Sequence, residues 1–210
     1  MSVESQLKFD ISRCSSCPLG ANRLFYAPVF QSFSDTLLVL ESPNLTVCEQ
    51  ENPWKHSNAT ILSRMISHAS GADLSRFHLT FLLKCWTQID GSVPPMRHRK
   101  AWAQECAQHY LEREIEGLPF RQIILFGEFI SKVCLPELEE DWEAMQTKSI
   151  SWGENGIQVH CLEHPRVIQK QGLDSEIGRK TIERLHGILG GRLSLPDSVE
   201  QENLFDLFGD

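Results

Sequence analysis

No apolar run in this chain is long enough to span a bilayer, and Met1 to Asp10 is too polar to hold the core of a secretion signal. A soluble, cytoplasmic protein is therefore expected. Positive charge is also scarce: 20 Lys and Arg against 28 Asp and Glu leave a net charge of −8. That balance argues against a protein that coats nucleic acid indiscriminately, although an acidic protein can still carry a local basic groove. Seven cysteines, an odd number, fit a reducing compartment better than a secreted disulfide framework and point toward metal or cluster binding. Internal repeats and low-complexity segments are absent. At 210 residues and 41% hydrophobic, the chain can bury one substantial core, so one domain over 1–195 and an acidic tail over 196–210 are expected, as a monomer.

The working centre falls at 36–54. Thr36-Leu37-Leu38-Val39-Leu40 is a short apolar run with β-branched members ahead of Ser42-Pro43-Asn44, and it reads as a strand buried on both faces. Glu41 then sits at its carboxyl end, the edge where an open parallel sheet binds ligands because the connecting loops gather there. A Glu in that position is ordinarily a capping or surface residue. Apolar runs at 77–85, 122–127 and 156–162 predict three more strands, which bring Cys85, Gly127 and His164 to the same rim. Taken singly, His164 reads as a packing or surface histidine.

Ile61, Leu62, Met65 and Ile66 recur at helical spacing and predict a helix over 58–69. Further helices are expected over about 101–116, from near Glu128, and over 174–189, while the acidic stretch 136–146 reads as a solvated excursion. Four strands separated by helices imply an α/β fold, a three-layer α/β/α sandwich around a four-stranded, mostly parallel sheet.

Cys14-Ser15-Ser16-Cys17 places two thiolates where they can grip one metal or cluster, but a complete site needs two more ligands. Cys85 at a strand end and Cys106 in the next helix offer a way to close a four-cysteine site. A redox pair and two unligated thiols are the other readings of the motif.

Read in order, Cys14-x-x-Cys17-x-Leu19-x-x-x-Arg23, Leu40-Glu41-Ser42-Pro43-Asn44, Pro53-Trp54, Lys84-Cys85 with Pro94-Pro95-x-Arg97, Glu105-Cys106 and His164-Pro165 resemble the motifs of the iron–sulfur uracil-DNA glycosylases known as family 4. The resemblance extends from Cys14 to about Ile168. It implies that Cys14, Cys17, Cys85 and Cys106 hold a structural [4Fe-4S] cluster, with zinc the alternative because thiolates accept both. It implies DNA as partner, His164 as donor to the departing base, and Glu41 as the group that orients or activates water and offsets positive charge on the sugar. Ser42, Asn44, Trp54 and Phe81 would line the base pocket, with Trp54 as a stacking plate or, alternatively, a core tryptophan. Pro165, Arg166 and Ile168 would meet DNA, Val167 and Ile168 as a wedge. Arg97, Arg99 and Lys100, with Arg166 and Lys170, would line a phosphate-contacting face, the other reading of 97–100 being a solvated helix start.

The departures bear on substrate. The family's uracil-reading Asn is replaced by Phe81, which cannot pair with a pyrimidine edge, although Phe81 also reads as a core residue. Asn44 stands in place of a Gly, Lys55-His56-Ser57-Asn58 in place of small residues, and Arg166 in place of a Ser. The expectation is a DNA glycosylase acting on a modified pyrimidine, such as a hypermodified cytosine of phage DNA in antiphage defence. Uracil excision in base-excision repair, a non-catalytic iron–sulfur DNA-binding protein, and an unrelated α/β enzyme with structural zinc are the alternatives.

Overall fold

The computed structural model describes residues 2–22, 24–28, 35–89, 91–138, 141–153 and 156–190, so Arg23 and the acidic tail lie outside the described residues. The order is α1 (Val3–Ser12), β1 (Thr36–Leu40), α2 (Leu45–Gln50), α3 (Ala59–Ser70), β2 (His78–Phe81), α4 (Met96–Cys106), a π-helical turn (Ala107–Leu111), α5 (Glu112–Glu116), β3 (Gln122–Phe126), α6 (Glu128–Cys134), α7 (Trp142–Thr147), β4 (Ser149–Trp152), β5 (Ile157–Leu162), α8 (Pro165–Gln171) and α9 (Glu176–Leu189). No helix among the described residues is long and apolar enough to cross a membrane.

The strands form one sheet in the order β2-β1-β3-β5-β4. All pairings are parallel except β4 with β5. Successive side chains of a strand point to opposite faces, and β1 divides accordingly. Leu38 and Leu40 pack with α3, α8 and α9 residues such as Leu62, Ile168 and Leu185. Leu37 and Val39 pack on the other face with Ala103, Leu111 and Ile130 of α4, the π turn and α6. The three-layer sandwich is therefore present, with five strands where four were expected.

The fifth strand, β4, is short and only half covered, so it has no apolar run to announce it. It exists because Ile150 pairs with Val159 and Trp152 with Ile157 across a hairpin whose turn carries Gly153 and Gly156 at positive φ. The acidic stretch before it is not wholly a solvated excursion either. Asp141 caps α7 by accepting from Ala144 N–H at 2.7 Å, and Met145 is fully buried. The helix expected from residue 101 begins at Met96, directly after Pro95, a residue that starts a helix well but cannot continue one. The strand expected over 77–85 ends at Phe81, four residues before Cys85.

Beyond β2 the chain bends and buries Lys84, only 1% of it exposed. Its ammonium donates to Thr80 Oγ1 at 2.9 Å and to the Phe81 carbonyl at 2.6 Å, and lies 2.5 Å from Glu114 Oε1 on α5. Burial raises the pKa of the Glu114 carboxyl, and Lys84 offsets part of that rise. Removing one partner strands a buried charge, whereas replacing both with apolar side chains does not. Glu114→Ala is therefore expected to lose about 3–5 kcal/mol in urea unfolding, and Lys84→Met with Glu114→Leu to recover most of that loss. A Glu114→Ala protein as stable as the parent would remove the pair from the account.

Candidate functional site

The sheet order reverses beside β1, since the chain leaves β1 for β2 on one side and returns to β3 on the other. In open α/β sheets the crevice outside the carboxyl ends of strands at such a point is the usual ligand site. Glu41 follows β1 there and Gly127 follows β3. Gly127 has φ +112°, and a Cβ on it would come within 3.3 Å of His164 Cβ and Cδ2, so the His164 imidazole rests directly on this glycine.

His164 is the N-cap of α8, and its Nδ1 accepts from Arg166 N–H at 3.0 Å. In the neutral ring this assigns the proton to Nε2, which is left to donate. Burial lowers the His164 pKa, and Arg166 lowers it further against the opposing pull of Glu163. The ring thus favours its neutral form. Glu163 steadies this corner by accepting from His164 N–H at 3.1 Å and from Trp142 Nε1–H at 3.2 Å.

Glu41 is ion-paired with Arg99 Nη1. Burial pushes its carboxyl pKa up, and the guanidinium pulls it back. The Arg99 guanidinium carbon lies 5.7 Å from the Phe129 ring centroid, Nη2 is 3.6 Å from Met96 Sδ, and its buried Nε has no hydrogen-bond partner among the described residues. Arg99, expected on a phosphate-contacting face with its neighbours, is thus turned inward to the rim. Arg97, Lys100, Arg166 and Lys170 are exposed.

Around the rim, Ser42 Oγ lies 3.4 Å from Thr87 Oγ1. Asn44 caps α2, its side chain accepting from Val47 N–H at 2.9 Å. Trp54 is half-buried against the α3 side of the core. Phe81 is wholly buried, edge-on to Tyr26 at 5.3 Å between centroids. Its packing role is therefore real, and His56 is the residue that meets both it and the Glu41 loop. The His56 ring lies 5.3 Å from that of Phe81. Its Nδ1 accepts from Asn58 N–H at 3.1 Å and its Nε2 lies 3.1 Å from the Ser42 carbonyl, to which it donates. Burial, aided by the nearby His164, pushes its pKa down to about 4, so it is neutral at ordinary pH. In the sequence, the only signal for His56 is that a bulky residue stands where small ones are usual.

Two residues expected against DNA are buried instead. Pro165 opens α8, and Ile168, one helical turn on, is packed among core residues including Leu162 and Leu185, with none of its surface exposed. A wedge at Ile168 is thereby excluded, because entering a base stack would empty a core position.

Cys14, Cys17, Cys85 and Cys106 line one recess, with Trp102, Glu105 and Tyr110 among its other walls. Cys14 and Cys17 come from the turn after α1, where Gly20 is obligatory because a Cβ on it would lie 2.5 Å from the Cys14 carbonyl oxygen. Cys85 is set by an antiparallel bridge with Phe25, and Cys106 ends α4 where the helix widens into its π turn. Such turns frequently occur at functional sites. Lys84 N–H donates to Cys106 Sγ at 3.4 Å, and the backbone at Leu19 and Gly20 hydrogen-bonds Cys17. Burial and neighbouring thiols raise Cys85, and burial pushes Cys106 up to about 12, so a bound cation is what would favour thiolates here. Among the described residues no three His, Cys, Asp or Glu side chains are gathered as a single-ion site. The four thiols share a recess without closing on one point.

Comparison with known proteins gives no name to this arrangement: no family model matches the chain, and no curated protein matches it.

Gly127→Ala is expected to destabilise the protein by about 1–3 kcal/mol, since it combines strained backbone with a Cβ pressed on His164. The His164 ring resonances should shift in NMR spectra, and unchanged shifts with normal melting would mean the contact constrains nothing.

Proposed function

We propose that this chain is a DNA glycosylase that flips a modified pyrimidine out of DNA and hydrolyses its N-glycosidic bond. The observation that carries this reading is the presence, at the carboxyl edge of one sheet, of an imidazole whose Nδ1 is already engaged and of a carboxylate ion-paired with a guanidinium.

Breaking the bond from C1′ to the base nitrogen leaves positive charge on the sugar and sends the electron pair to the base. His164 Nε2–H would donate a hydrogen bond to the base oxygen on which that negative charge collects, without first losing a proton of its own. Glu41, its rise in pKa from burial opposed in part by Arg99, would offset the sugar charge and accept a proton from the water that adds to C1′. The departing base takes up a proton from solvent at the nitrogen freed from C1′, Glu41 gives up the water's proton to solvent, and an abasic site remains. Trp54 would offer the flipped base a stacking surface.

The modified-pyrimidine reading rests on the wall behind Glu41. Phe81 supplies no hydrogen bond, and both His56 nitrogens are engaged within the protein. Neither Phe81, buried in the core, nor His56 is then free to read the edge of uracil.

For the thiol recess we propose a [4Fe-4S] cluster held by Cys14, Cys17, Cys85 and Cys106. Four thiols that share one recess without closing on one point, with backbone amides aimed at two of the sulfurs, suit a polynuclear group better than a single zinc ion, whose sulfurs must close to about 2.3 Å from one centre. The cluster's contribution is structural, tying the α1 turn, the Cys85 bridge and the end of α4 together.

The deciding experiment is abasic-site formation on a panel of uracil-containing, deaminated and phage-modified DNAs. Excision of uracil in preference to every modified base would move the protein to repair, and binding without excision of any base would make it a non-catalytic DNA-binding protein. On the substrate found, His164→Ala and Glu41→Gln should each slow single-turnover excision by about 100- to 1,000-fold while affecting binding much less. If both variants cut at the parental rate, this division of roles is wrong. Cys85→Ser and Cys106→Ser should purify with little iron and melt at lower temperature, because ligands drawn from distant segments couple cluster binding to folding. Full iron content in both would dismiss the cluster.

A further inference from the structure

With Ile168 in the core, only the half-buried Val167 is left of the wedge expected at the start of α8, and more exposed apolar side chains lie elsewhere. Val93 and Met96, 55% and 53% exposed, are the most exposed of the large apolar side chains described and stand three residues apart. Their setting is stiff. Ile89 and Ser92 exchange two backbone hydrogen bonds of 2.9 Å, Gly91 turns the chain at φ +74°, and Pro94 and Pro95 lead directly into α4. An apolar tip held this way loses little entropy when it binds.

The tip adjoins the rim. Met96 Sδ lies 3.6 Å from Arg99 Nη2, and Arg99 Nη1 grips Glu41, so a single side chain separates Met96 from the carboxylate. Arg97, His98 and Lys100 flank it, all exposed and none with a salt-bridge partner among the described residues. Two apolar side chains with the exposed Arg97 and Lys100 beside them in the chain form a poor docking face for a protein, which needs about 1,000 Å² of complementary surface. They match a polymer with an anionic backbone and stacked apolar faces inside.

We propose that Val93 and Met96 form the wedge that enters the DNA base stack beside the target nucleotide, with Arg97 and Lys100 on the flanking phosphates. The proposal rests on the reading of DNA as partner but not on excision. The wedge would hold the gap open while the base is turned toward Glu41 and His164.

The test uses the full chain and a duplex carrying 2-aminopurine beside a central mismatch, with fluorescence reporting unstacking and anisotropy reporting binding. Wild-type protein should raise the fluorescence. V93S/M96S should lower the opening equilibrium on the order of tenfold, the scale of one lost stacking contact, while duplex affinity changes less than about threefold because phosphate contacts dominate it. R97Q/K100Q should instead weaken binding and flatten its salt dependence by about 2 in slope. Should V93S/M96S melt below the parent, the single variants V93T and M96Q, closer in shape, supply the same comparison. Opening by the polar variants equal to wild type, or no opening by wild type, overturns the proposal. So does self-association of wild type that V93S/M96S abolishes, which would make the tip a contact with a second copy. Retained opening without an abasic product on any DNA would sink the glycosylase reading and leave the wedge intact.

Discussion

Lys84 is the point on which the separate parts of this molecule depend. Its ammonium is buried against Glu114 of α5 and against the end of β2. Its amide N–H reaches Cys106 Sγ, and its carbonyl accepts from Tyr26 N–H at 2.7 Å. One residue therefore ties the sheet, the helix pair after it and the N-terminal segment, and its neighbour Cys85 enters the thiol recess. A charge this deep is tolerable only when partnered. Satisfying it obliges α5 to lie across the β2 exit, and α4 then ends with Cys106 facing Cys85.

The recess and the rim are two ends of one construction. α4 begins at Met96 beside Glu41 and ends at Cys106 in the thiol recess. A change in how Cys106 is held would thus be felt at Arg99, about two helical turns away along the same rod. A cluster with no chemical role of its own could in this way still govern how firmly the rim is built. The rim has its own economy of charge. Burial pushes the Glu41 carboxyl up and the His164 and His56 rings down, and at Glu41 alone a guanidinium opposes it in part. The guanidinium beside the carboxylate alone is what sets the acceptor at Glu41 apart from the donor at His164.

Much of this was legible in the chain. The four main strands follow from short apolar runs, and α3 and α9 from residues recurring at helical spacing, because both signals are local and repeat along the segment. The thiols at Cys14, Cys17, Cys85 and Cys106 and the rim positions of Glu41, Gly127 and His164 were visible as residue types at strand and helix ends. Less legible was β4, whose Ser-Ile-Ser-Trp sequence becomes a strand only by pairing with β5. Ile168 lies in the core and not against DNA, because a short apolar pair after a loop reads alike as wedge or core until the helix phase is known.

By itself, the sequence determined the alternation of strands and helices and the residue types available at their ends, since these depend on neighbours a few positions apart. Only the tertiary structure decided the strand order that makes the β1–β3 edge the switch point, the turning of Arg99 onto Glu41 across 58 residues, and the placing of His56 between Ser42 and Phe81. These are pairings between segments with no shared periodicity. Their free energy comes from burial and partnered charge that exist only once the sheet and both helical layers have closed.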